Sequence, residues 1–466
     1  MAHPRSACGA PPQGGDASGP AKPVPRRPLG CWARKLFPVA TLLAWLPIAV
    51  HAGDVRHLLW DANQRPLYQQ CARDFEAAHP GIHIRIQQQG WDDYWSTLSL
   101  GFVANTAPDV FTNHLAKYAE FVRNGVVADL GPLIARDGVR TDIYEPGLLG
   151  LWQRDGSTYA LPADWDTVAL IVNLDMARQA GITAAELRQM DWNPRDGGSF
   201  ARVVARLSRD EAGRDGTQPG FDTKRVRVYG YQTPSHGGLF GQTEWSFLAA
   251  SAGFRLQARP WDADLRYGDP VLADTLGWLA ALPSRGWSLV PGAFGKMGAD
   301  ALFTSQRTAM VPAGSWMVGH FARQARFAYA WVPTPIGPSG QRASMRNGLA
   351  HSLWAGSRNK EEAWQWLRYL ASPACQARVA EAGVVYPAIK GLAEVAMAVQ
   401  RRQGVDASAF ALAAQGLTFP PPIAANAAEA TDLVTATMER IFAGRVQAGP
   451  ALRALAPKVR AITSQP

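Results

Sequence analysis

Indole side chains stand directly before carboxylates at several points of this 466-residue sequence, and three of these pairs flank predicted strands or helices. The pairs are Trp60-Asp61, Trp91-Asp92 and Trp165-Asp166, and the amides of Asn113 and Gln242 add further hydrogen-bonding groups. The flat apolar faces of a sugar ring stack on indoles, while its hydroxyls pair with carboxylates and amides. The pattern therefore predicts a carbohydrate-binding site.

Single members of this pattern also have purely structural interpretations. A tryptophan taken alone more often packs in a core, and we assign Trp364 and Trp366, which share one predicted helix, to the core. We place Trp165, flanked by two aspartates, and Trp316, which follows a Gly-Ser turn, in the site. For the two aspartates a role in a turn or a helix cap stays open.

Motifs of enzymes and metal sites are not recognisable in the sequence. We find no convincing GxSxG, HExxH, CxxC, Walker A or dinucleotide-binding glycine pattern. His114 has no partner at metal-ligand spacing. The absence of these motifs therefore predicts no catalytic residue, no metal and no cofactor.

A polar, aromatic segment meets an apolar run within residues 159–175. The run from Val168 to Leu174 is typical of a buried parallel strand, and it begins just after Asp166. We expect the chain to cross here from one α/β lobe to another. The acid and the neighbouring indole would then face a cleft between the lobes.

Strands and helices alternate before this crossing. A strand ending at Trp60, a helix and a strand over 82–86 predict a βαβ unit and hence a parallel sheet. A helix opens near Trp91, and a short strand over 107–111 ends in polar residues 112–114. Because ligands bind at the carboxyl ends of strands in open α/β sheets, these strand ends are expected at the cleft.

The second half of the sequence predicts two more crossings, at Trp331–Pro338 and Val384–Pro387. A strand over 308–311 and a turn at Pro312–Gly314 precede Ser315, which we expect to cap a helix starting at Trp316. After three consecutive prolines, an Ala-rich helix is predicted to end near Gly444.

The first 52 residues are typical of a secretory signal peptide with an N-terminal extension. Basic residues precede the apolar run Leu36–Val50, which is short for a membrane span. Val50-His51-Ala52 places small residues at the −3 and −1 positions of a signal-peptidase site. We predict cleavage after Ala52 and a periplasmic protein.

Removing this leader changes the charge balance. It carries six Lys or Arg and one Asp, so five of the nine net positive charges leave with it. No basic run remains, which argues against nucleic-acid binding. Cys71 and Cys375 remain in an oxidising compartment, and whether they pair stays open because a disulfide depends on a Cα distance that sequence does not give.

Five segments, in this order, resemble the family 1 extracellular solute-binding proteins, the carbohydrate-binding subunits of bacterial ABC importers such as maltose-binding protein. They are WDANQRPLYQQCARDFEAAHPGI, GWDDYWSTL, APDVFTNHLAKYAEFVRNGVVADL, YALPADWDTVALIVNLDM and FTSQRTAMVPAGSWMVGHF. The resemblance implies a two-lobed α/β fold of the type II periplasmic-binding-protein kind, with three inter-lobe crossings and a ligand cleft between the lobes. It also implies a monomer that catalyses no reaction, binds a small-molecule carbohydrate and serves the transmembrane subunits of an ABC permease.

On this resemblance, lobe I comprises residues 53–164 and 336–385, and lobe II comprises residues 165–335 and 386–466. The predicted ligand contacts are Asp61, Asn63, Trp91, Asp92, Asn113, His114, Trp165, Asp166, Gln242, Trp316, Asn347 and Gly348. One region departs from the family pattern. Where maltose-binding relatives place another stacking aromatic, residues 424–430 are Ala-rich, so we expect a smaller or differently shaped sugar than a maltodextrin.

Two other functions stay open at this point. A secreted glycoside hydrolase could pair Asp164 or Asp166 with Asp92 or Asp61 as its two carboxylates. A binding protein for a phosphorylated polyol would need cations at the cleft, and Arg65 and Lys117 are the nearby candidates.

Overall fold

The computed structural model describes residues 53–293 and 297–465. The signal peptide and the cleavage after Ala52 predicted from the sequence lie outside these described residues.

The described strands, in chain order, are β1 (Gly53–Leu59), β2 (Ile82–Gln88), β3 (Val110–His114), β4 (Gln153–Arg154), β5 (Ser157–Thr158), β6 (Leu161–Asp166), β7 (Val168–Asn173), β8 (Arg209–Asp210), β9 (Val226–Val228), β10 (Met310–Gly314), β11 (Tyr329–Val332), β12 (Ala343–Met345), β13 (Asn347–Leu353), β14 (Tyr386–Pro387) and β15 (Leu417–Phe419).

The α-helices are α1 (Arg65–Ala78), α2 (Trp91–Val103), α3 (Leu115–Arg123), α4 (Gly131–Arg136), α5 (Leu174–Gln179), α6 (Ala184–Arg188), α7 (Gly198–Leu207), α8 (Ser246–Ser251), α9 (Pro270–Ala280), α10 (Ala299–Thr304), α11 (Val318–Gln324), α12 (Lys360–Leu370), α13 (Pro373–Ala382), α14 (Leu392–Arg402), α15 (Ser408–Gln415), α16 (Thr431–Phe442) and α17 (Ala448–Thr463). Short 3₁₀ helices lie at Leu149–Trp152, Pro283–Arg285, Ser315–Met317 and Ala427–Ala430. None of the helices in the described parts of the chain is long and apolar enough to cross a membrane.

The first sheet has six strands in the order β14-β6-β13-β3-β1-β2. β1 pairs in parallel with β2 and β3, which confirms the βαβ unit predicted from the sequence. β13 and β14 both run antiparallel to β6. The helix α1 between β1 and β2 has Pro66 in its first turn, as its fixed φ favours, and buries Cys71 and Phe75. The sheet is therefore mixed, with its parallel part at the N-terminal end of the described chain.

The second sheet has three strands in the order β10-β7-β11. Both neighbours of β7 run antiparallel to it, so the prediction of a parallel strand at Val168–Leu174 is wrong. Every residue of β7 is buried, and burial on both faces produces a continuous apolar run whatever the direction of the neighbours. Sequence periodicity could not separate the two cases.

The segment around Trp316 also differs from its prediction. Pro312–Gly314 is the end of β10 and not a turn, and Pro312 is accommodated because β10 is an edge strand. Ser315 does not cap α11 with its side chain, since a 3₁₀ turn precedes that helix.

The chain passes between the two sheets three times. Thr167 alone separates β6 of the first sheet from β7 of the second. After β11 the chain returns through β12, which pairs with β15, to β13 of the first sheet. After β14 it leaves the first sheet again for α15, whose Phe410 carbonyl accepts a hydrogen bond from the hydroxyl of Thr167. The two sheets therefore belong to two lobes joined by three crossings.

A disulfide joins Cys71 on α1 to Cys375 on α13, with 5.4 Å between the Cα atoms. The two cysteines are 304 residues apart in sequence, and both lie in the core beside the first sheet. The bond ties α1, near the start of the described chain, to α13, which belongs to the segment that returns to the first sheet after the second crossing. The sequence left open whether these two cysteines pair, and the structure shows that they do.

Candidate functional site

The two aspartates at the end of β6 lie at the junction of the sheets. In a strand, alternate residues share a face, so Asp164 and Asp166 point to one side and Trp165 to the other. Asp164 and Asp166 are only 4% and 9% exposed. Asp164 accepts hydrogen bonds from the backbone N–H of Leu349 (3.3 Å) and from the amide of Gln64 (3.4 Å). Two acids are thus buried together beside the first crossing.

Burial dominates the electrostatics of this pair. Burial, with a smaller contribution from the Asp61 carboxylate, raises the pKa of Asp164 to about 7. Burial also raises the pKa of Asp166 well above its ordinary value, and the charge of Asp164 adds to this effect. No Lys or Arg side chain of the described residues pairs with either carboxyl group. The hydrogen bonds that the two carboxyl groups accept lower their pKa values, but by less than burial raises them.

A side chain from the second lobe reaches this pair. The Nε2 of Gln242 donates to Oδ1 of Asp166 at 2.6 Å. Gln242 lies between Leu239 and Trp245, which are buried in the core beside the second sheet. The bond therefore connects the two lobes, and it brings together two residues predicted from the sequence.

His114 and Asn347 extend the polar surface along the first sheet. Asn347 is the β13 partner of Asp166, and its side-chain amide lies 2.9 Å from Nε2 of His114. Nδ1 of His114 accepts the backbone N–H of Ala116 and so caps α3. Burial lowers the pKa of His114 to about 4, so its ring is uncharged at neutral pH. Asn113 is fully buried and donates to Ser352, which makes it a support for this surface.

Aromatic rings adjoin His114 on two sides. The ring of Trp91, 47% exposed, lies edge-on with its centre 5.5 Å from that of His114, and Trp60 packs against Trp91. From the second lobe, the ring of Phe240 lies nearly parallel to His114 at 6.3 Å. Phe240 also lines an apolar cavity of about 370 Å³ together with Phe254, Met345 and Phe419. Exposed ring faces and buried polar groups are therefore neighbours here.

The loop after β1 forms another contact between the lobes. The side-chain oxygen of Asn63 accepts a hydrogen bond of 2.9 Å from Arg323 on α11. Asp61 holds this loop by accepting the N–H and the amide of Asn63. Asp92, at the start of α2, is exposed.

Three predicted residues lie elsewhere around the crossing. The indole of Trp165 packs against Tyr386 of β14, with the Arg346 guanidinium 4.8 Å above it, and Gly348 is its backbone partner in β13. Trp316 is partly buried, and its ring lies so close to Gly314 that a Cβ there would be 1.9 Å from it. The structure thus joins five of the predicted residues by successive contacts, from Trp91 through His114, Asn347 and Asp166 to Gln242. Trp165 faces the interior.

The sequence-based prediction of the site missed Gln64, Tyr68 and Phe240. Gln64 follows Asp61 in the same loop, and Phe240 precedes Gln242 by two residues, so proximity was the available signal. Tyr68 lies one turn into α1 and is 3% exposed; burial raises its pKa well above the ordinary value, and the charges of Asp164 and Asp61 add to this effect. A position within a helix gives no indication in the sequence that its side chain lies near a binding site.

Neither of the two cations named from the sequence forms an ion pair or a hydrogen bond with these described polar groups, although Arg323 reaches Asn63. The ammonium group of Lys117 lies 3.5 Å from Glu120, and Arg65 is exposed. Among residues 53–293 and 297–465, no group of three or more His, Cys, Asp or Glu side chains could hold a metal ion.

Comparisons with known proteins agree with this architecture. The profile of a family described as bacterial extracellular solute-binding proteins matches residues 70–405. A putative binding protein of Brucella abortus is 22% identical over 440 residues, which cover 92% of this chain and 98% of that protein.

Two solved structures have the same fold. UspC of Mycobacterium tuberculosis superposes with a TM-score of 0.70 at 23% identity, covering 88% of this chain and 100% of that one. An ABC transporter solute-binding protein of Thermotoga lettingae, bound with α-D-tagatose, superposes with a TM-score of 0.68 at 19% identity, again over 88% of this chain and 100% of the other. The two-lobed type II architecture predicted from the sequence is confirmed.

Proposed function

The chain belongs to the bacterial extracellular solute-binding proteins, and on that premise we propose that it captures a sugar in the periplasm. It then delivers the sugar to the membrane permease of an ABC transporter. In this role it acts as a monomer, binds no nucleic acid and catalyses no reaction. The α-D-tagatose of the Thermotoga lettingae protein supports a sugar as the ligand.

The observation that carries this proposal is the buried bond between Asp166 and Gln242. It joins polar groups of both lobes at the first crossing, next to Asn347, His114 and the exposed Trp91. Carboxyl and amide groups hydrogen-bond sugar hydroxyls, and aromatic faces cover the apolar side of the ring. A sugar entering here replaces the direct bond with bonds to both lobes.

The ligand favours the closed arrangement because it contacts both lobes at once. We assign residues 53–166 and 347–387 to lobe I, which moves the boundaries in the sequence-based assignment to the end of β6, the start of β13 and the end of β14. Asn63 with Arg323, and His114 with Phe240, meet when the lobes close. Only a ligand that binds the closed form more tightly than the open form shifts this equilibrium.

Isothermal titration of the purified protein against a panel of sugars tests the proposal. We expect saturable binding of at least one sugar, with quenching of Trp fluorescence and no release of product. Turnover of a glycoside would instead establish the hydrolase alternative, with Asp164 or Asp166 as a catalytic carboxylate. Failure of every sugar, together with binding of a phosphorylated polyol, would contradict the sugar ligand.

A further inference from the structure

A tryptophan of lobe II reaches into lobe I from a strained backbone. Trp261 has a φ of 69°, in the left-handed region that is a genuine outlier for a bulky side chain. Its ring centre lies 5.5 Å from that of Tyr118 on α3 and 4.3 Å from the guanidinium carbon of Arg154. Tyr118 and Arg154 both belong to lobe I, so this indole joins the two lobes. Backbone strain of this kind clusters at ligand clamps and switch regions.

The loop that carries Trp261 is held by hydrogen bonds to two other segments of lobe II. The backbone N–H of Trp261 donates to the carbonyl of Ile423 at 2.6 Å. The amide of Gln257 donates to that same carbonyl (2.8 Å) and accepts the backbone N–H of Ile423 (2.9 Å). Two residues after the tryptophan, the carbonyl of Ala263 accepts the hydroxyl of Thr463 on α17 (2.6 Å). These bonds fix the strained conformation from which the indole projects.

The indole lies about one helical turn from the proposed site. Tyr118 follows His114, the N-cap of α3, by four residues, which corresponds to about 6 Å along the helix axis. The ring of Phe240 from lobe II lies beside His114. Phe240 and Pro260, the residue before Trp261, line the same apolar cavity. Along α3 from the site, the next contact between the lobes is therefore that of Tyr118 with Trp261.

Contacts between the lobes continue to the end of α3. Arg123, the last residue of this helix, pairs with Glu429 of lobe II at 3.0 Å. The buried side chain of Ile423 packs in the same apolar cluster as Tyr118 and Trp261. Side chains in direct contact leave no room for a sugar ring between them. The space between the lobes is thus filled along α3 from Tyr118 onward.

We propose that Trp261 closes one end of the cleft and thereby limits the length of the saccharide that the site admits. The inference rests on the proposed function and names a residue that determines the specificity of that same site. A short sugar beside Asp166 and Gln242 does not meet the indole. A longer chain that extends along α3 has to displace the indole from Tyr118 before the lobes can close. Because a ligand is retained only as far as it favours the closed form, the longer chain binds more weakly.

Isothermal titration with saccharides of graded length tests this role. The probes are the α-1,4-linked glucose, β-1,4-linked glucose and β-1,4-linked xylose series, each from one to four units. In a series that binds, we expect the wild type to prefer the better of the two shortest members to the four-unit member by at least about tenfold. Trp261→Gly should reduce that preference about fivefold or more. Glycine adopts this φ without strain, so the loop keeps its course while the indole is removed.

Two further variants separate the indole from general effects. Trp261→Phe keeps an aromatic ring at this position and should retain most of the preference for short members. Gln306→Gly is the matched control, because Gln306 also has a positive φ, of 61°, and is exposed just after α10. It takes part in none of the contacts between the lobes named above and should leave the preference unchanged. Circular dichroism checks the fold of all three variants.

The other outcomes overturn the inference. A wild type that binds the four-unit member as tightly as the shorter ones contradicts it and leaves sugar binding intact. A preference that Trp261→Gly retains in full, or that Gln306→Gly loses to the same extent, contradicts the assignment to the indole. Failure of every member to bind contradicts the inference, and the proposed function fails with it only if the panel of free sugars does not bind either.

Discussion

The two faces of β6 bury charge in opposite ways. On one face Asp164 and Asp166 are buried with neutral partners only. On the other face the indole of Trp165 lies beneath Arg346, whose guanidinium is 3.5 Å from the Glu145 carboxylate. A paired charge is already compensated, so that removing one partner is costly, whereas an unpaired buried acid costs stability when it ionises unless a ligand compensates its charge. The comparison separates the binding face of this strand from its structural face.

The largest expected effect concerns Asp164 and the pH dependence of stability. Its pKa is raised from 3.8 to about 7 in the folded protein, so the protonated acid favours folding. That stabilisation is complete below about pH 4 and is lost as the pH rises to about 7, which corresponds to at most roughly 4 kcal/mol. Asp164→Asn should therefore gain stability relative to the wild type between pH 4.5 and pH 7.5. Urea unfolding at both pH values measures the difference in the free energy of unfolding. Asp93→Asn, at an exposed acid of α2, is the control. A difference that does not change with pH would contradict the raised pKa of Asp164.

The paired face should respond in the opposite direction. Arg346→Met leaves Glu145 without its partner and should destabilise the protein by about 3 kcal/mol. Adding Glu145→Gln to this variant should recover part of the loss, because the unpaired charge is removed as well. Chemical denaturation of the two single variants and the double variant measures the coupling. Strictly additive effects would show that the pair is not coupled.

On the binding face, Asp166→Ala should weaken sugar binding at least about tenfold while the protein stays folded. The substitution removes the acceptor of Gln242 and the acid next to Asn347. Titration calorimetry measures the affinity, and circular dichroism checks the fold.

Trp316→Ala should likewise weaken sugar binding by about tenfold, or by somewhat less. Its ring lies over Gly314, the residue paired with Val168 just after the crossing, and is partly exposed there. Trp165→Phe is the informative counterpart because Trp165 lies on the paired face. We expect it to affect stability more than affinity, and an equal loss of affinity in both variants would remove the distinction between the faces.

Much of this arrangement follows from local sequence. The βαβ unit, the crossing at residue 167 and the candidates Asp166 and Gln242 all rest on patterns within a few residues. Alternation along a strand would also have placed Trp165 opposite the two aspartates, once β6 was recognised as a strand. The alternation was not predicted because the polar residues 164–167 are typical of a loop.

Other features depend on contacts that sequence patterns do not encode. The direction of the strands beside β7 is set by β10 and β11, more than a hundred residues away in the chain. The bond between Cys71 and Cys375 depends on how α1 and α13 pack. The ring of Tyr68 meets His57 and His351 only because the helix α1 packs on the first sheet. Such positions are determined by packing between elements and not by periodicity within one.

The central claim is that the crossing between the lobes binds a sugar through Asp166. Parallel calorimetric titrations of the wild type and Asp166→Ala with the tightest-binding sugar of the panel test it most directly. The account predicts saturable binding to the wild type and at least about tenfold weaker binding to the variant. Equal affinity of the two proteins for that sugar would contradict it.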